Sequence, residues 1–153
     1  MSTLRDYQIS LKNEIYQAWN DPGVTNVVAV APTGAGKTEI KASIFNDCRV
    51  PGVAIAHRME LVSQISNAIA RSGTYHRIIA PRSLVNFCVS QHVKLYGKSF
   101  VNYQSPMAVA GVDTLLKRSD DFEQWRKQCK IWDIDECHHV LRENKWGKAV
   151  GLF

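Results

Sequence analysis

The sequence predicts an α/β fold, a parallel sheet with helices on both faces. Three observations lead there. Short apolar runs alternate with longer segments of helical period, a glycine-rich turn follows the first run, and two adjacent carboxylates close the last. Strand–helix–strand crossovers are right-handed and make their strands parallel, so the connecting helices cover both faces. A chain of 153 residues with 45% hydrophobic content is long enough to bury a core of its own. One domain over residues 1–153 accounts for everything.

The elements follow in order. Thr3 can cap a first helix, with Asp6 as its capping-box partner, and Leu4, Tyr7, Leu11, Ile15 and Trp19 carry the helical period until Asp21-Pro22-Gly23 stops it. Val27 to Val30 is continuously apolar, the pattern of a strand covered on both faces. A second helix runs from Thr38 to Asp47 through Ile40, Ile44 and Phe45, and Val53 to Ala56 forms the next strand. Leu61, Ile65, Ala68 and Ile69 mark a helix that Gly73 ends in a left-handed cap. Arg77 to Ala80 is a short strand, Arg82 to Tyr96 a helix broken at Gly97, and Met107 to Ala110 a strand. Thr114 to Leu116 and Phe122 to Gln128 open two short helices before the last strand, Ile131 to Ile134.

Ala31-Pro32-Thr33-Gly34-Ala35-Gly36-Lys37-Thr38, between a strand and a helix, has the form of a phosphate-cradling loop. Gly34 and Gly36 permit the backbone angles that let the N–H groups of Thr33 to Thr38 converge on an anion at a helix N-terminus. Lys37 can reach the β and γ phosphates, and Thr38 can offer its hydroxyl to Mg²⁺. At the other end of the chain, Asp135 and Glu136 follow an apolar strand and so fall at the carboxyl edge of the sheet, where open α/β folds hold ligands. Asp135 suits Mg²⁺ and Glu136 the attacking water. The two motifs together point to ATP and Mg²⁺, with Lys37, Asp135 and Glu136 as the catalytic candidates.

Charge adds a partner class. The net charge is +5, and no acidic residue falls between Glu60 and Asp113, an interval that holds Arg71, Arg77, Arg82, Lys94 and Lys98. Tyr75, Phe87, Tyr96, Phe100 and Tyr103 are interleaved with them. Such a stretch suits a polyanion with stackable bases, and equally a solvated basic face over core aromatics. No run approaches the roughly 18 apolar residues of a membrane span. The N-terminus does not open a signal peptide, so a cytoplasmic protein without membrane contact is expected. Cys48, Cys88, Cys129 and Cys137 lack paired spacing, which predicts buried free thiols and no zinc site.

Read together, these strings resemble the first RecA-like domain of a superfamily 2 helicase of the DExH type. Leu4-Arg5-Asp6-Tyr7-Gln8 is similar to the Q motif, Ala31 to Thr38 to Walker A, and Asp135-Glu136-Cys137-His138 to Walker B. His57 and Arg58 fall in a segment similar to motif Ia, and Ala110 to Leu115 is similar to a later nucleic-acid motif. The resemblance implies that Gln8 reads adenine, that Arg5 or Tyr7 stacks on the base or simply packs, and that His57, Arg58 and Thr114 face a nucleic-acid backbone. It further implies that His138 couples the two sites.

The resemblance also implies a second RecA-like domain, in cis or in trans, that supplies an arginine finger. The Ser/Thr-Ala-Thr motif whose strand lies between the Walker A and Walker B strands in related ATPases is not found after Asp135. The expectation is therefore a domain incomplete at its C-terminus, which binds Mg-ATP and nucleic acid with little hydrolysis or unwinding of its own. A catalytically silent binding module or decoy subunit is the alternative, while a small-molecule kinase gives Gln8 and His57-Arg58 no reason to coexist. Asp133 interrupts an otherwise apolar strand; either it finds a cation such as a neighbouring Lys, or it marks relaxed constraint.

Overall fold

The computed structural model describes residues 3–137, 140 and 143–153. Among them, β1 (Gly52–Ala56), β2 (Arg77–Ile79), β3 (Met107–Gly111) and β4 (Ile131–Ile134) form one sheet in the order β2-β3-β1-β4. Every pairing is parallel. The helices are α1 (Asp6–Trp19), α2 (Lys37–Cys48), α3 (Met59–Arg71), α4 (Arg82–Tyr96), α5 (Val112–Lys117), α6 (Glu123–Arg126) and α7 (Lys145–Val150), with a 3₁₀ turn over Ser119–Phe122.

Alternation along the strands divides the core in two. Ala54, Ala56, Met107, Val109 and Ile78 face α2, α3 and α4 through Ala42, Phe45, Val62, Ile65, Ile69 and Val85. Val53, Ile55, Ala108, Ala110 and Ile79 face the other way, onto Val112, Leu115, Trp125, Trp146 and Ala149. Both faces of β1 are therefore buried, which is why its run carries no polar residue. The expected α/β architecture is the one that forms.

Three local expectations are corrected. Val27 to Val30 is not a strand: no described strand pairs with it, and Val28 and Val30 are 69% and 86% exposed. Only Val27 packs, in a small cluster with Ile15, Ile40, Ile44 and Ile131. An apolar run signals burial on two faces, but a strand also needs a hydrogen-bonded neighbour. Here β4 pairs with β1 alone, and no described strand bridges β4 to this segment. The first helix is capped not by Thr3 but at Arg5, whose N–H donates to Gln8 Oε1 at 2.8 Å. Finally, only Cys88 of the four thiols is buried; Cys48 and Cys129 are half-buried and Cys137 is exposed.

A polar network lies within the layer of α3 and α4. His76 Nδ1 lies 3.1 Å from the Thr74 carbonyl, so it carries the proton, and its Nε2 accepts from Ser66 Oγ at 2.7 Å. The Phe100 N–H donates to His92 Nδ1, so the proton of His92 is on Nε2, 3.1 Å from the same Ser66 oxygen. Both rings are fully buried and both must stay neutral for the chain of bonds to close. Burial pushes His76 down to about 4 and lowers His92 as well.

The depressed folded values make this stability fully present above the ordinary histidine range near 6.5. It is lost as pH falls toward 4, because the unfolded chain takes up the protons first. Denaturant unfolding should show a drop of about 2 kcal/mol from His76 alone between pH 7.5 and 5. His76→Gln should be weaker at pH 7.5 and fall clearly less on acidification; parallel profiles would contradict the assignment.

Candidate functional site

The turn from Ala31 to Gly36 delivers the chain into the N-terminus of α2. Gly34 and Gly36 are left-handed, at φ 81° and 73°, and Gly36 is the residue before the helix. The amides of Lys37 and Thr38 open the helix with no carbonyl a turn behind them, and the helix dipole adds partial positive charge there. The loop is braced from α1: the Ala35 carbonyl accepts from Tyr7 Oη at 3.0 Å and Gln8 Nε2 at 2.9 Å. Gln8 is 5% exposed and its amide is used at both ends, by Arg5 N–H and by Ala35. In this arrangement Gln8 fixes the loop through one acceptor site and one N–H, and its amide keeps a second of each. The Arg5 guanidinium reaches Tyr7 Oη at 3.5 Å, and Tyr7 borders an open cleft of about 510 Å³ with Leu11, Val30, Thr33, Gly34 and Ile40. Lys37 is exposed and donates to the Ala31 carbonyl at 3.1 Å.

The carboxylates are joined to the same helix. Ile131, Asp133 and Asp135 alternate onto the α2 face of β4, and the Asp135 N–H continues the ladder to the Ile55 carbonyl. Lys41, one turn beyond Lys37, places its ammonium 2.8 Å from Asp135 Oδ1 and 2.9 Å from Asp133 Oδ2. The Lys41 side chain is only 13% exposed. Burial by itself would lower its pKa, but the two carboxylates outweigh this and raise it, so the amine stays charged. Asp133 is pushed up by burial, with Lys41 opposing the shift. Of the two readings of Asp133, the neighbouring-lysine one is what forms.

Glu136 is left-handed at φ 57°, a conformation that costs a non-glycine residue about 1 kcal/mol. Its Oε2 lies 3.5 Å from His57 Nδ1, near in distance but not aligned as a hydrogen bond. His57 follows β1 directly, packs edge-on against Trp146 with ring centroids 5.5 Å apart, and accepts from Arg58 Nε at 3.1 Å. β1 and β3 pair in register from Gly52–Met107 to Ala56–Gly111, so Thr114, in the first turn of α5, lies just past the same edge as His57 and Arg58. Arg58 is exposed and Thr114 half-buried. His138, expected to couple the two sites, lies outside the described residues.

The basic interval is not one face. Arg71 pairs with Glu39 at 2.7 Å, and Arg77 donates to the Ser105 carbonyl at 2.7 Å and lies over Trp125. Lys98 sits over Tyr75 and Phe100, while Phe87 and Tyr103 are 50% and 71% exposed. Three of the five cations are therefore engaged within the chain, Arg71 in a surface ion pair and Arg77 and Lys98 over aromatic rings.

The whole chain, residues 1–153, matches the family described as type III restriction enzyme, res subunit. The chain belongs to that family, and its domain is a superfamily 2 helicase-like, ATP-binding one with a RecA-like α/β fold. No match was found among curated proteins. Among the described residues no helix is long and apolar enough to cross a membrane, and no three His, Cys, Asp or Glu side chains are grouped to hold a metal.

The donor chemistry fits a magnesium–nucleotide: Asp135 offers a carboxylate beside the helix whose first turn carries Thr38 and follows the glycine turn. Thr38 and Asp135 would hold the metal and Thr33 to Lys37 the phosphates.

Sequence reasoning did not assign Lys41 a role, although its spacing four residues after Lys37 put it one turn along the same helix. It also missed α7, whose signal was Asn144: its side chain accepts from the N–H groups of Trp146 and Gly147. Gly36→Ala should cost about 1–2 kcal/mol in backbone strain, and its Cβ would fall 2.3 Å from Gln8 Nε2. Gly34→Ala meets nothing within 4 Å and should carry the strain alone. Unfolding free energies that rank the two variants the other way would contradict the close approach of Gln8 to Gly36.

Proposed function

We propose that this chain is the ATP-binding part of an ATP-dependent nucleic-acid helicase or translocase, working with a second RecA-like domain in cis or in trans and in the cytoplasm. The observation that carries this reading is that α2 holds the phosphate loop at its N-terminus and Asp135 one turn further on. When bound, magnesium–ATP supplies a phosphoanhydride whose charge the metal neutralises. Lys37, exposed and hydrogen-bonded to the Ala31 carbonyl, would turn to the γ phosphate, and Thr38 and Asp135 would hold the metal. Glu136 would orient the attacking water, and the 3.5 Å between it and His57 supports a link to the segment we assign to nucleic acid. His57, Arg58 and Thr114 bind backbone phosphates, which positions a strand without reading its sequence.

Phosphoryl transfer depends on positioning and charge, and an arginine finger from a second domain contributes roughly 10³ to 10⁵ in rate. The chain alone should therefore hydrolyse ATP slowly. A binding module or decoy subunit is the second reading, favoured by Asp135 being ion-paired to Lys41.

A second RecA-like domain added in trans should raise ATP turnover by roughly 10³-fold; turnover unchanged by that domain supports the silent module instead. Arg58→Ala should weaken single-strand binding evenly across sequences and lower the salt slope by about one. An altered sequence preference in that variant would contradict a backbone role.

A further inference from the structure

We propose that Lys41 is a resident counter-ion for the metal-binding carboxylate and that Asp133 sets how firmly it is held, so that the pair tunes the affinity of the site for a divalent cation. The inference rests on the reading of Asp135 as a magnesium ligand. Three charged groups share one largely buried space between α2 and β4: the ammonium lies 2.8 Å from Asp135 Oδ1 and 2.9 Å from Asp133 Oδ2. The two contacts differ in kind. The first is an aligned hydrogen bond, whereas Asp133 Oδ2 is shut off from solvent and has no aligned hydrogen-bond partner among the described residues.

A divalent cation arriving at Asp135 meets the field of an ammonium already there, and opposite signs of charge at this distance interact strongly in a partly desolvated site. Asp133 offers the ammonium a second anion two residues back on the same strand face, so the lysine can shift its weight onto Asp133 while staying paired. Neither residue touches the nucleotide in this scheme. Both are positioning residues that act through Asp135. The scheme also accounts for a carboxylate in the middle of β4 where apolar packing would otherwise serve, since Ile131 on the same face packs against α2.

The two single substitutions should move cation affinity in opposite directions. Lys41→Met leaves two carboxylates without their ammonium and should strengthen divalent binding. Asp133→Asn commits Lys41 wholly to Asp135 and should weaken it. The measured quantity is the ratio of affinities for a fluorescent, non-hydrolysable ATP analogue with Mg²⁺ and with EDTA. The ratio should rise roughly tenfold in Lys41→Met and fall roughly tenfold in Asp133→Asn. It should return near the wild-type value in the double variant Lys41→Met/Asp133→Ile, whose pocket holds neither the ammonium nor the second carboxylate.

Should Lys41→Met fail to fold, a fall in Asp133→Asn followed by recovery in the double variant decides the matter. A structural ion pair with no bearing on the metal would destabilise both single variants and leave the ratio unmoved, which overturns the proposal. A wild-type chain that binds the analogue with no magnesium dependence overturns both the proposal and the reading of Asp135 beneath it. Magnesium dependence in the wild type with unmoved or same-sign variant ratios overturns the proposal alone.

Discussion

A buried ammonium between two carboxylates is the constraint on which the rest of the site depends. Lys41 ties the helix that carries the phosphate loop to the strand that carries Asp135, and neither element reaches the other by backbone pairing. Charged groups this far out of water persist only when paired, because removing one partner leaves the other uncompensated. The relation of Lys37 to Asp135 is therefore set by the side chain one helical turn from Lys37. Apolar contact adds to this, through Ile131 and Val27 packed on Ile40 and Ile44.

The parallel sheet gives the site its second property, convergence. β1, β3 and β4 run the same way, so His57-Arg58, Thr114 and Asp135-Glu136 all emerge at one edge although they are far apart in sequence. The contact of His57 with Glu136 joins the segment after β1 to the acid after β4 without an intervening residue. The left-handed backbone at Glu136 is held there by the structure around it, and strain of that kind is common where a side chain has to be aimed. On the opposite side of the loop, Tyr7 and Gln8 hold the Ala35 carbonyl, so the phosphate loop is fixed from α1 as well as from α2.

Much of this was legible in the residues. Runs such as Val53 to Ala56 and Met107 to Ala110 read as buried strands because both faces of each are covered, and period and burial then agree. Val27 to Val30 has the same composition and forms no strand, since composition reports burial tendency while a strand needs an adjacent edge. The glycine turn does lie at the start of α2 and Asp135-Glu136 directly after β4, the positions their order in the sequence implies. Lys41 was not legible, because a lysine on a helix is ordinarily a solvated one, and only the fold sets it against Asp133. The buried Ser66–His76–His92 network was hidden for a related reason: its members come from α3, the residue before β2 and α4, and no local spacing unites them. The basic interval misled in part, since Arg71 and Arg77 turn to Glu39, Ser105 and Trp125.

The central claim is that one end of α2 receives the phosphates while Asp135, tethered to the same helix, receives their metal. Titration calorimetry of ATP into the chain tests it most directly, run with magnesium, with a chelator, and with Lys37→Ala. Saturable uptake that weakens sharply on chelation and again on loss of the Lys37 amine is the predicted result. Heat that is absent throughout, or uptake indifferent to both changes, would contradict it.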